Sequence, residues 1–309
     1  MGKKTMWILV VGLCLVIGYS GFRILRSLGL SQWFPPEQTS TVAPSGSLTK
    51  PTTKPTTRPT TKPTTQPTAH PTLPTDPADP LHGKTAIFLG DSICAGTTVG
   101  EENPYHGYGW AGLIGSEHAM AWENFGQNGA VILDREPTDR VLREQLLAAK
   151  NRYETVDYIL LEGGCNDAYR LKWDAEKLGE ISPDFENFDE NTFTGALELL
   201  LRDVKATYPE AKIGYILTHK MGEAPFDAEH HVIRAYYERI LAVCEKWQIP
   251  CLDLWQESRL DPSDPAQYDP SLTAQEAIDA GKFFVDAQHL TLEGYRQLLP
   301  LIEDFMKEL

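Results

Sequence analysis

The chain has 309 residues, 41% hydrophobic and 23% charged, which is enough apolar material for a sizeable core. The formal net charge is −15 and unevenly split, with +5 over residues 1–80 and −20 over residues 81–309. An acidic globular part argues against a nucleic-acid binder, which needs a basic face to displace counterions, and no Cys/His set has zinc spacing.

Lys3 and Lys4 precede an uncharged apolar run, residues 6–22, closed by Arg23 and Arg26. As a helix that run spans roughly 25 Å, the short end of what crosses a bilayer. Residues 1–34 are therefore expected to form a signal anchor that spans the membrane once, with Trp33 and Phe34 at the interface. Gly18-Tyr19-Ser20 leaves open a cleaved signal peptide and a secreted product. Ile24, Leu25, Leu28 and Leu30 carry the apolar character past that point and favour the anchor. Residues 35–81 are rich in Pro and Thr, with prolines at 51, 55, 59, 63, 67 and 71 in a Pro-Thr-Thr-Lys/Arg repeat. Such a segment has nothing to bury and predicts a disordered spacer. The repeat, roughly 25 residues long, would reach on the order of 75 Å as extended polyproline II. It is similar to the Pro-Thr linkers of bacterial surface enzymes, which implies a C-terminal part outside the cell. The plain reading is an inert linker; Lys50, Lys54, Arg58 and Lys62 also suit contact with anionic wall polymer.

Residues 82–309 read as one α/β domain. Short apolar runs at 85–89, 121–125, 156–161, 212–217 and 250–254 predict five strands. Between and after them come helical stripes. Phe193, Leu197, Leu200, Leu201 and Val204 form one, stopped by Pro209. Ile233, Tyr237, Ile240, Leu241 and Cys244 form another, and Leu298, Leu299, Ile302 and Phe305 a third, with Thr291 as its cap. The alternation predicts three α/β/α layers around a five-stranded, mainly parallel sheet. Ligands gather at the carboxyl ends of such strands, and four chemistry-bearing blocks fall there or just before the last helix: Gly90-Asp91-Ser92, residues 124–129, residues 163–167, and Asp286-Ala287-Gln288-His289. Each is weak alone, because Gly-Asp-Ser also reads as a turn with a helix-capping serine. Their joint order raises them.

These blocks, in the contexts IFLGDSICAG, NFGQNGAVI, GGCND and VDAQHLTLEGY, resemble the SGNH (GDSL-type) hydrolase superfamily over roughly residues 84–309. The resemblance implies a flavodoxin-like fold, with Ser92 as nucleophile, Asp286 and His289 as its partners, and Gly129 and Asn166 beside them. It implies ester hydrolysis through an acyl-enzyme, with no metal and no cofactor. Leu290 replaces a proline that often follows the histidine, and Cys165 fills a variable position; neither removes a reacting group.

The residues themselves suit that chemistry. A serine hydroxyl needs a base, and His289 titrates in the right range. Asp286, three residues earlier, reaches its other ring nitrogen. The Ser92 and Gly129 backbone N–H groups and the Asn166 amide form a candidate oxyanion hole, where a glycine lets backbone approach a ligand closely. Asp91 and Asp167 read as braces. The expected substrate is a short acyl ester, acetyl foremost, on a carbohydrate such as an acylated polysaccharide. Alternatives are a lipase, lysophospholipase or thioesterase, or a non-catalytic carbohydrate-binding or wall-anchoring protein on this scaffold.

Other candidates carry less. Residues 105–110 (YHGYGW) read as a sugar-stacking wall or as a packed surface loop. Thr218-His219-Lys220 is placed at the cleft. His230 and His231 are expected in solvent, and Asp261, Asp264 and Asp269 in a solvated loop rather than a calcium site. Cys94 with Cys165, and Cys244 with Cys251, are possible pairs but expected as free thiols.

Overall fold

Strands β1 (Thr85–Leu89), β2 (Ala121–Asn124), β3 (Tyr158–Glu162), β4 (Lys212–Leu217) and β5 (Cys251–Asp253) pair in the order β2-β1-β3-β4-β5. Every pairing is parallel. The computed structural model describes residues 78–96, 109–136, 139–171, 174–222 and 232–309. The expected anchor and most of the spacer, residues 105–108, His230 and His231 lie outside them. Among the described residues no helix is long and apolar enough to cross a membrane.

The helices are α1 (Ser92–Ala95), α2 (Gly109–Glu117), α3 (Leu142–Lys150), α4 (Cys165–Leu171), α5 (Ala175–Leu178), α6 (Phe193–Thr207), α7 (Val232–Trp247), α8 (Leu254–Glu257), α9 (Ala274–Asp279) and α10 (Leu292–Glu308). The three stripes read from the sequence are α6, α7 and α10. The Thr192 hydroxyl accepts the Gly195 N–H at 3.2 Å and the Thr291 hydroxyl accepts the Gly294 N–H at 3.1 Å, which starts α6 and α10. Right-handed crossovers place α2 on one face of the sheet and α3, α6 and α7 on the other. Accordingly α6 packs on both α3 and α7, while α10 returns to α2.

Three strands differ from the sequence reading. β2 stops at Asn124, one residue short of the expected end. β3 starts at Tyr158, and the preceding Asp157 carboxylate accepts the Thr85 N–H of β1 at 2.8 Å. The strand continues through Glu162, which is 1% exposed although its side chain is polar. β5 stops at Asp253, whose side chain accepts the Gln256 N–H at 3.3 Å and so caps α8.

Trp110 corrects an expectation. It lies in α2, fully buried, with its ring edge-on to Phe88 of β1 at 5.5 Å. It belongs to the core and offers no face to a sugar. The reason is in the helix: from Gly109 to Ser116 every residue of α2 is buried, so the helix lies flat on the sheet. Gly115 permits that approach. A Cβ at this position would sit 2.3 Å from the Trp122 ring of β2. Gly115→Ala should therefore destabilise the fold by about 1–3 kcal/mol through overpacking. Chemical denaturation checks this, and combining the change with Trp122→Leu should recover part of the loss if the clash is its cause.

Candidate active site

The site grows out of the ends of β1 and β3. These neighbours send the chain in opposite directions, β1 toward β2 and β3 toward β4, which is where open α/β sheets form a crevice. After Leu89 the chain turns at Gly90, whose N–H and carbonyl are both held by the buried Gln145 side chain of α3, each at 2.8 Å. Asp91 follows, fully buried, and one of its oxygens accepts the Ile93 N–H at 2.9 Å. That bond caps α1 and fixes Ser92 as the first residue of the helix.

The block before α10 meets Ser92 from 197 residues away. The Ser92 hydroxyl donates to His289 Nε2 at 3.0 Å. His289 Nδ1–H donates to Asp286 Oδ2 at 2.8 Å. The other Asp286 oxygen accepts the backbone N–H groups of Gln288 at 2.7 Å and His289 at 2.6 Å. These bonds fix both the loop and the imidazole tautomer. Burial alone would lower the His289 pKa, but the Asp286 hydrogen bond and the charges of Asp286 and Asp91 outweigh it, and the net shift is upward from 6.5. Burial likewise works against the Asp286 charge, yet the bonds from His289 and Gln288 hold its pKa below 3.8.

Gly129 has φ +72°, a backbone conformation that needs glycine, and no atom lies within 4 Å of where a Cβ would be. Its loop is pinned from outside: Arg170 donates to the Gly129 carbonyl at 3.1 Å and Arg140 to the Asn128 carbonyl at 2.6 Å. Asn166 sits in the first turn of α4. Its amide donates to Asp91 Oδ2 at 3.2 Å and to the Ala130 carbonyl at 3.0 Å. Asp91 and Asp167 act as braces, as their positions suggested. Asp167 accepts the Ile132 N–H at 3.0 Å and the Leu133 N–H at 2.9 Å, and burial raises its pKa to about 7 despite those bonds.

Some residues fall elsewhere. His219 does not line the cleft; it is fully buried behind the His289 loop. Its Nε2–H donates to the Gln288 carbonyl at 2.9 Å, and Nδ1 accepts from the Thr218 hydroxyl at 3.2 Å. Burial lowers its pKa to about 4, so it is neutral wherever His289 can act as a base. The Gln288 side chain donates to the Tyr169 hydroxyl of α4 at 2.6 Å, tying the His289 loop to the helix that carries Asn166. Nothing in the sequence singles out Tyr169, Gln145 or Glu162. Position after a strand was the one signal for His219. Asp261, Asp264 and Asp269 close local turns by accepting the N–H groups of Ser263, Ala266 and Ser271, each at 2.9 Å. Among the described residues no group of three His, Cys, Asp or Glu could hold a metal ion. Cys94, Cys165, Cys244 and Cys251 are free thiols.

Residues 88–297 match the GDSL-like lipase/acylhydrolase family. The chain belongs to this family. It is a carboxylic ester hydrolase. Solved structures of the same fold align over nearly their whole length. A protein from Lactobacillus plantarum aligns at 22% identity and TM-score 0.56, over 74% of this chain and 98% of its own. A possible lipase from Chitinophaga pinensis aligns at 15% identity and TM-score 0.52, over 73% and 98%. No curated protein matches the chain.

The raised His289 pKa sets an expectation for this acylhydrolase. A histidine base works only when neutral, so kcat/KM should fall as pH drops through a midpoint above 6.5. Stability should run the other way. The imidazolium–Asp286 pair is formed in full below pH 6.5, and its contribution fades as pH rises through the raised value. A pH–rate profile beside pH-dependent melting checks both signs; an acid limb in the range of Asp or Glu would remove His289 from the role.

Proposed function

We propose that this hydrolase is a surface-tethered serine esterase that removes short acyl groups, acetyl foremost, from carbohydrate through an acyl-enzyme on Ser92. The observation that carries the reading is the continuous relay from Ser92 Oγ to His289 at 3.0 Å and from His289 to Asp286 at 2.8 Å. In this mechanism His289 Nε2 takes the Ser92 proton as Oγ attacks the ester carbonyl. Asp286 holds the imidazole in the working tautomer and steadies the imidazolium. The oxyanion forms near the Ser92 and Gly129 N–H groups and the Asn166 amide. Asn166 is already bonded to Asp91 and Ala130, so it shares one N–H with the developing charge rather than offering a free one. His289 then protonates the departing alcohol, and water repeats the sequence to release the acid.

The short acyl group is supported by the Tyr169–Gln288 bond. Tyr169 stands one helical turn beyond Asn166 and Gln288 directly precedes His289, so their link joins the two elements that would flank the acyl group. The tether is supported by the N-terminal sequence, with its apolar residues 6–22 and its Pro-Thr spacer. An exposed enzyme on a long spacer meets polymer before it meets lipid monomers, which favours a carbohydrate ester.

A fluorophosphonate probe tests the catalytic reading. The adduct should form on Ser92 and be lost in Ser92→Ala; folded protein that takes no label would instead be a binding module. Acyl-chain profiling tests the pocket. Tyr169→Ala should raise the rate on butyrate and hexanoate esters relative to acetate by about tenfold or more, the usual effect of reshaping an apolar pocket by a methylene or two. An unchanged chain-length profile would place the acyl group elsewhere.

A further inference from the structure

We infer that Glu162 is held as a neutral acid whose hydroxyl donates to the Asp91 carboxylate, making Glu162 a positioning residue for Ser92 and Asn166. The register of the sheet brings the two carboxyls together. Leu89 of β1 pairs with Leu161 of β3, so Glu162 stands beside the Gly90-Asp91 turn. Both side chains then reach the first turn of α1. Asp91 accepts the Ile93 N–H at 2.9 Å, and Glu162 Oε2 accepts the next amide, Cys94 N–H, at 3.3 Å. Adjacent amides on one helical turn force their acceptors into contact, and Glu162 lies within hydrogen-bonding reach of Asp91.

Neither group sees water, at 0% exposure for Asp91 and 1% for Glu162. The other Glu162 oxygen, Oε1, is buried and finds no donor. Two ionised carboxylates are acceptors only, so they would leave Oε1 orphaned and two like charges touching. A single shared proton resolves both problems. It resides on Glu162 because Asp91 already accepts from three separate donors, the Ile93 N–H, the Cys165 thiol at 3.0 Å and Asn166 at 3.2 Å, whereas Glu162 accepts only the backbone N–H groups of Cys94 and Asp91 and leaves Oε1 without a donor. The titratable groups around the pair are Cys94, Cys165, Tyr215, Tyr237 and Tyr295, with Asp167 and His289 on the far side of Asp91. None of the first five supplies a positive charge. Burial first, and the Asp91 charge second, push Glu162 well above the usual carboxylate range.

Linkage gives the test. Unfolded, Glu162 titrates near 4.5. Folded, it keeps its proton to higher pH, so the wild type loses stability as pH rises from that value toward the folded one. Glu162→Gln keeps a neutral donor for Asp91 and cannot lose it. The melting temperature of E162Q minus that of the wild type should therefore climb steadily with pH over this range. A difference that stays flat would overturn the neutral-acid assignment. Should E162Q fail to fold, infrared spectra of the wild type at about pH 8 decide instead. A carboxylic-acid carbonyl band that shifts on 13C-glutamate labelling supports the assignment, and a band unmoved by the label overturns it. The positioning role rests on the catalytic reading of Ser92 and Asn166. Glu162→Leu, which removes the donor, should lower kcat about tenfold with KM unchanged, the scale of one lost buried hydrogen bond, and Glu162→Gln should recover most of that. Equal rates for E162L and the wild type would overturn the role. Failure of Ser92 to take the fluorophosphonate would overturn the catalytic reading while leaving the proton assignment to its own test.

Discussion

The buried Asp91 carboxylate is the contact on which the rest of the site depends. A charge fully removed from water is tolerable only when surrounded by donors. Besides the proposed Glu162 hydroxyl, Asp91 has three: the Ile93 N–H, the Cys165 thiol and the Asn166 amide. Each donor belongs to a working part. The first caps α1 and so sets Ser92 at the carboxyl end of β1. The second and third tie in α4, the helix that leaves the end of β3. The same charge also helps to raise the His289 pKa. One side chain thus couples the placement of the nucleophile, the amide beside it and the basicity of the imidazole.

The base is supported separately, by groups that never reach the reacting atoms. The Asp286–His289 loop makes a sharp turn in which the Gln288 and His289 N–H groups both point at one aspartate oxygen. Such a turn leaves its carbonyls facing outward. His219 receives one of them, the Gln288 carbonyl, from inside the domain. A charged histidine there would repel the imidazolium formed during turnover, and burial forestalls this by keeping His219 neutral. Tyr169 holds the same residue by its side chain from the other wall. The loop is clamped from below and from across the crevice, which is how a half-exposed turn can hold a hydrogen bond of catalytic geometry.

Much of this was legible in the sequence where periodicity or local chemistry leaves a mark. β1 and β4 were read to the residue, because both are short apolar runs bounded by polar ones. The stripes of α6, α7 and α10 marked amphipathic helices that rest on a sheet. Three of the four blocks hold residues that hydrogen bonds join around the end of β1: Ser92 with His289 and Asp286, and Asn166 with Asp91. What was not legible lacks a one-dimensional signature. α2 is buried on all sides, so it shows no stripe, and Trp110 reads as an exposed aromatic until the helix is laid against Phe88. Glu162 looks like the polar exit of an apolar strand. Only the pairing of β1 with β3 encloses it. Tyr169 and Gln288 are 119 residues apart and ordinary in composition, and their bond exists only once the crevice has formed.

Apart from Asp91, whose charge is held by its donors, the carboxyls around Ser92 differ chiefly in depth, and depth decides what each can do. Asp167, 1% exposed, is raised to about 7 even though it accepts two backbone N–H bonds. Glu162, equally buried and beside Asp91, is pushed well above the usual carboxylate range. Neither stays reliably ionised at the pH where His289 must work, so neither could serve as its orienting partner. Asp286 is different. Its side chain is 49% exposed, it receives two backbone N–H bonds and the imidazole, and its pKa is held below 3.8. It therefore remains an anion across the whole range in which the imidazole exchanges its proton with Ser92. The shallow carboxylate orients the base because it can keep its charge, and the deep ones hold backbone because they need not.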